Sequence, residues 1–341
     1  MNLTRAGHEL FRRSPDERFE SLASLWEACQ RRRERSADRW QPPQSLIPQA
    51  EGDRLRLAVG DDGAFALNDW SFAQLCKMAG VAKETVNRLS AETAGRVFRE
   101  TLPSGNKPLQ ILTSEETVRS LHGVAYTRLW DADLLTMLRE FAVDFTPPPK
   151  AFDGSTGMYS GEQDLFVFMI DPTGWAEIGN EAFAPGFFAW NSEVGKRSVG
   201  VSTFWFQQVC QNHIVWDATE VVEFTRKHTA GVHGSIVEIR RLIEAMVAKR
   251  DERKDGFVKV VKRAMETKLG DEAPEVEALL AKSGIARALA KRAVESAHER
   301  GERFTLWTVV DALTRLAREL HNAGDRNDAD QKASSLLALA V

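Results

Sequence analysis

The sequence predicts an α+β fold: an N-terminal helix, a mixed β-rich core with an embedded helix-turn-helix-like pair, and an all-helical C-terminal part. Three observations predict it. From about position 220 to the end, apolar residues recur at helical spacing between glycine breaks. The runs DLFVFMID, GFFAWN and SVGVSTFWFQQVC are aromatic and β-branched, as strands buried on at least one face tend to be. Between a hairpin-like pair and a further strand lies SFAQLCKMAGVAKETVNRL, which has helix-turn-helix spacing. A chain of 341 residues, 43% hydrophobic, has ample material for a core. The expected division is a helical extension over 1–45, a β-rich core domain over 46–220 and a helical region over 221–341.

In chain order, residues 16–39 place Phe19, Leu22, Leu25, Trp26 and Cys29 at helical spacing, with a basic run at the C-terminal end that suits the helix dipole. QPPQSLIPQ breaks that helix, because three prolines within seven residues cannot continue it. RLRLAV and AFALN, joined by GDDG, read as a hairpin. Asp69 or Ser71 can cap a helix over 72–78 that Gly80 interrupts, and two short helical stretches follow at 85–89 and 92–99. LQILT and VRSLHGVAYTRL read as strands, and ADLLTMLREFAV as a helix. TPPPKAFDGSTG is a linker, but strands on both sides of it argue against a clean domain border there. The C-terminal helices break at Gly256, Gly270, Gly284, Gly301 and Gly324 without a fixed repeat.

Charge narrows the functional classes. The formal net charge of −4 gives no global attraction for polyphosphate, so any nucleic-acid contact must be local. Positions 131–193 carry eleven acids against two bases, Arg139 and Lys150, whereas positions 226–268 carry twelve bases against six acids. Three cysteines, far apart, indicate neither a disulfide framework nor a zinc site. The absence of a signal-like start and of a long apolar run predicts a cytoplasmic protein with no membrane contact.

In the helix-turn-helix-like stretch, Cys76, Gly80 and Val86 stand where a small residue, a tolerant turn residue and a locking apolar residue are needed. Lys83, Thr85, Asn87 and Arg88 would then face a duplex. Against this, the motif sits between strands, and Glu84 places an anion where the groove is negative. A helix pair packed on a sheet is the competing reading.

DWSFAQLCKMAGVAKETVNRL, VRSLHGVAYTRLWDADLL and PGFFAWNSEVGKRSVGVSTFWFQQVCQNHIVW together resemble the phage- and plasmid-associated domain-of-unknown-function 932 family. The likeness spans roughly 55–341, and 191–215 is its most specific part. The resemblance implies mobile-element biology and a more distant, fold-level likeness to phage single-strand-annealing proteins. It also favours the packed-helix reading of the helix-turn-helix-like stretch.

Single-strand binders combine aromatic platforms with phosphate-neutralising cations. Trp190, Lys196, Arg197 and Arg128 are expected to supply that combination, extended by Arg240, Arg241, Lys259, Lys262 and Arg263 on basic helices. The opposing reading places the aromatics in the core. The expectation is a non-enzymatic, DNA-associated protein that favours single strands and works as a homo-oligomer. The alternatives are a sequence-specific regulator using Lys83, Thr85, Asn87 and Arg88, and an enzyme or anti-defence protein. Neither cofactor nor metal is expected: Asp131, Asp133, Asp153, Asp164 and Asp171 fit no nuclease spacing, and His122, His213, His228 and His233 form no motif. Cys210 and His213 would point to opposite faces of a strand.

Overall fold

The computed structural model describes residues 9–149, 157–179, 181–207, 213–216, 223–301 and 303–340, with 213–216, 250 and 253 described as backbone only. Cys210 and Asp153 lie outside the described residues. The chain folds as α+β.

The first half runs β1 (Glu17–Arg18), α1 (Leu22–Glu34), β2 (Ser36–Gln41), β3 (Leu46–Glu51), β4 (Arg54–Val59), β5 (Ala64–Leu67), α2 (Asp69–Ala79), α3 (Lys83–Val86), α4 (Ala91–Thr101), β6 (Leu109–Ser114), β7 (Thr117–Gly123) and α5 (Asp131–Phe141). The strands continue with β8 (Met158–Ser160), β9 (Leu165–Ile170), β10 (Ala176–Ile178), β11 (Glu181–Asn191), β12 (Val199–Gln207), β13 (His213–Trp216) and β14 (Glu223–Arg226). Five helices and the one leading into them end the chain: α6 (Ser235–Ala248), α7 (Arg250–Glu266), α8 (Ala273–Lys282), α9 (Arg287–Glu299), α10 (Leu306–Ala317) and α11 (Ala323–Ser335).

Two sheets divide the strands. The first has the order β2-β6-β7-β5-β4-β3 and is antiparallel apart from the β5–β7 pair. The second has the order β1-β8-β9-β11-β12-β13, with β10 on β11 and β14 on β12, and is antiparallel throughout. The linker at 147–149 falls between the two sheets along the chain, except that β1, which precedes it, joins the second sheet. The N-terminal residues are no separate extension, because β1 pairs with β8 while β2 pairs with β6. The proline-rich break also yields a strand, β3, and Pro48 is tolerated there because β3 is an edge strand.

Local chemistry accounts for the helix ends near the first sheet. Asn68, instead of Asp69, caps α2 and exchanges bonds with Ser71 in a capping box. Gly80 ends α2 at φ +67°, a conformation that glycine adopts without strain. Helix α3 is only four residues long. Among the predicted glycine breaks, Gly256 and Gly324 lie inside α7 and α11.

On the second sheet, α1, α5 and α6 cover one face through Leu25, Leu134, Leu138, Ile239 and Ile243, packed on Val167, Phe187 and Val201. The opposite face is a slab of rings formed by Phe166, Phe168, Phe188, Trp190, Phe204 and Phe206. The C-terminal helices build their own core, into which Phe183 and Trp205 of the sheet project.

Candidate functional site

The resemblance-bearing triplet Asn191, Ser192 and Glu193 lies at the end of β11, buried where the two sheets meet. Glu193 accepts from Arg119 Nη1 of β7 at 2.8 Å and from the Asp131 backbone N–H at 3.1 Å. Asn191 Nδ2 donates to the Leu129 carbonyl at 2.9 Å and to Asp131 Oδ1 at 2.8 Å. Arg128 donates to Asp38 of β2 at 2.6 Å and to the Glu193 carbonyl. One polar knot thus joins both sheets to the start of α5.

The two carboxylates titrate in opposite directions. Burial, reinforced by the Glu193 charge, pushes Asp131 up to about 8. Burial would also raise Glu193, but Arg119 and Arg32 outweigh it and hold Glu193 below the usual range. The pair is thus biased so that Glu193, held by the two arginines, keeps its charge in preference to Asp131. Among the described residues, no group of three or more His, Cys, Asp or Glu side chains is placed to hold a metal ion.

The expected nucleic-acid residues do not converge into one channel. Arg128 is buried, with its guanidinium committed to Asp38, because it ties the sheets together. Trp190 is buried in the ring slab, lying flat over Gly200 and stacked on Phe188 at 4.7 Å. Arg197 pairs with Asp328 at 2.9 Å and lies 3.5 Å from Asp164, so α11 neutralises it. Lys196 is exposed, 5.0 Å above the Trp70 ring. Arg241 is exposed at 3.9 Å from Glu238, and Lys259, Lys262 and Arg263 face solvent on α7.

The duplex-reading arrangement is also corrected. Asn87 is buried, and its side chain accepts from the Phe11 N–H at 2.7 Å and donates to the Phe11 carbonyl at 2.9 Å, so the N-terminal segment occupies it. Lys83 pairs with Asp69 at 2.7 Å. Thr85 and Arg88 remain exposed, but a one-turn helix is too short to lie along a groove.

A different set of residues comes together along α5. Arg33 of α1 lies 5.5 Å over Trp130, Arg139 lies 4.3 Å over Trp26, and Arg240 of α6 lies 3.5 Å over Phe141. The three rings are half-buried and the guanidiniums are reachable by solvent. Local pairing positions the row. Trp26 Nε1 donates to Thr136 at 2.9 Å, Arg33 pairs with Asp133 at 2.7 Å, and Arg240 pairs with Glu244 at 2.9 Å. Helix α5 is about 16 Å long; Arg139 and Phe141 are two residues apart on it and do not share a face, so the Trp26 pair lies on the α1 flank and the Phe141 pair on the α6 flank.

Of this row, the sequence reading named only Arg240 as a contact. The available signal was Trp26 and Arg33 seven residues apart on one helix, together with Arg139 as an isolated base in the acidic stretch. No family model, curated protein or solved structure matches this chain.

Proposed function

We propose that the chain is a DNA-associated protein of a mobile element that binds single strands without strict sequence preference and without a catalytic step. The observation that carries this reading is the row of three arginine-on-ring pairs along α5. The guanidiniums cover the outward faces of these rings, so a base would stack on the guanidinium plane itself, a contact that tolerates any base. The guanidiniums supply the phosphate contacts. Exposed ion pairs such as Arg33–Asp133 and Arg240–Glu244 contribute only about 0–1 kcal/mol, so a strand can exchange them cheaply. The buried positions of Trp190 and Arg128 move the proposed contact from the β11–β12 loop to the α1–α5–α6 surface. A row this short binds weakly alone, and repetition of the chain along one strand would add to it.

The test is fluorescence anisotropy with a single-stranded and a random duplex oligonucleotide at 50 and 200 mM salt. Single strands should bind more tightly. Three phosphate contacts predict a log–log salt slope of about −2, or roughly fifteen-fold weaker binding over that range. A variant combining Arg33→Glu, Arg139→Glu and Arg240→Glu should lose the binding while keeping its circular dichroism. Absence of single-strand binding at low salt, or unchanged binding by the folded variant, overturns the proposal.

A further inference from the structure

The basic stretch of α7 singled out in the sequence takes no part in the row on α5. Lys259, Lys262 and Arg263 face solvent about one turn apart and lead towards the end of α7. There the helix opens on a cleft of about 850 Å³, inside the range of small-molecule sites. Its frame is rigid. The Leu269 N–H donates to the Phe304 carbonyl at 2.9 Å and the Leu306 N–H to the Thr267 carbonyl at 2.8 Å, joining the chain after α7 to the chain before α10.

The lining combines three kinds of chemistry. Partly buried Met265, with the edge of the buried Phe304, supplies apolar surface. Lys268, His298 and Arg303 bring donors from two stretches of chain, the end of α7 and the turn from α9 to α10. Lys268 is paired with Asp271, whereas the His298 and Arg303 side chains have no hydrogen-bond or ion-pair partner among the described residues. Glu266 adds a carboxylate on the α7 side. A bare anion would use only the donors and would be opposed by Glu266 and Asp271. A molecule with a phosphate, hydroxyls and a flat ring uses all three: Arg303 and His298 for the phosphate, Glu266 for a sugar hydroxyl, and the Met265–Phe304 surface for the ring.

We propose that this cleft binds a nucleotide, with the α7 stripe guiding the phosphate to it. The full chain, titrated calorimetrically with adenosine monophosphate, should bind it at least about ten-fold more tightly than adenosine or inorganic phosphate. Arg303→Glu should weaken the nucleotide about ten-fold or more, and His298→Ala should weaken it less. Arg33→Glu should leave it unchanged, which separates this site from strand binding along α5. No heat with the nucleotide in the low millimolar range, phosphate alone binding as tightly, or undiminished binding by folded Arg303→Glu would each overturn the assignment.

Discussion

At the scale of single residues, Asp131 gives the most specific expectation. Its carboxyl is raised from an ordinary 3.8 to about 8, first by burial and then by Glu193. Between those values the folded chain keeps a proton that the unfolded chain releases, so this group costs stability progressively as pH rises, until about pH 8. Glu193 is held below its ordinary 4.5, so it is ionised in both states above about pH 5.5. His122 and His228 are pushed down to about 4, first by burial, and work in the opposite sense below pH 6.5. The comparison that isolates Asp131 is therefore wild type against Asp131→Asn. Urea unfolding should show the variant gaining on the wild type as pH rises from 5 to 8; a constant difference would contradict the protonated assignment.

At the scale of elements, the pairing of β11 with β12 depends on what glycine leaves out. A Cβ at Gly200 would sit 2.3 Å from the Trp190 ring and 2.6 Å from the Phe224 carbonyl, so the absent side chain is what lets the indole lie flat across the strand. Gly200→Ala should destabilise the protein by about 1–3 kcal/mol, read as a lower urea midpoint at constant m-value. An unchanged midpoint would mean that Trp190 has room to move away. The α2–α3 pair makes a related point. Its apolar lock and its Gly80 turn form as the spacing predicts, but α3 stops after four residues and the N-terminal segment occupies Asn87.

At the scale of the whole molecule, the ion pair between Arg119 and Glu193 crosses from one sheet to the other with both side chains withdrawn from water. Removing one partner strands the other charge in the interior, at a cost of about 3–5 kcal/mol. Since that cost falls on the junction, Arg119→Met should also uncouple the sheets. Calorimetry should show one unfolding transition in the wild type and two in the variant. A single transition at unchanged temperature would show that the polar knot does not hold the halves together.

The element order, the two strand-rich regions, the helical C-terminal part and the turn at Gly80 were legible in the sequence. Periodicity, caps and turn residues act within a few positions of one another, so they can be read along the chain. The short strands β1 and β2 were not legible, because their pairing partners lie far away in sequence and their own composition is polar, and β3, although it pairs with the adjacent β4, was hidden by its proline-rich context. The site was harder still to read. Arg128 and Arg33 look alike as letters, yet one is buried against Asp38, 90 positions away, while the other reaches solvent over Trp130. The sequence by itself determined the main helices and the longer strands; tertiary structure decided the short pairings and which charges and rings face water, because burial, strand pairing and ion pairing depend on contacts between residues distant along the chain.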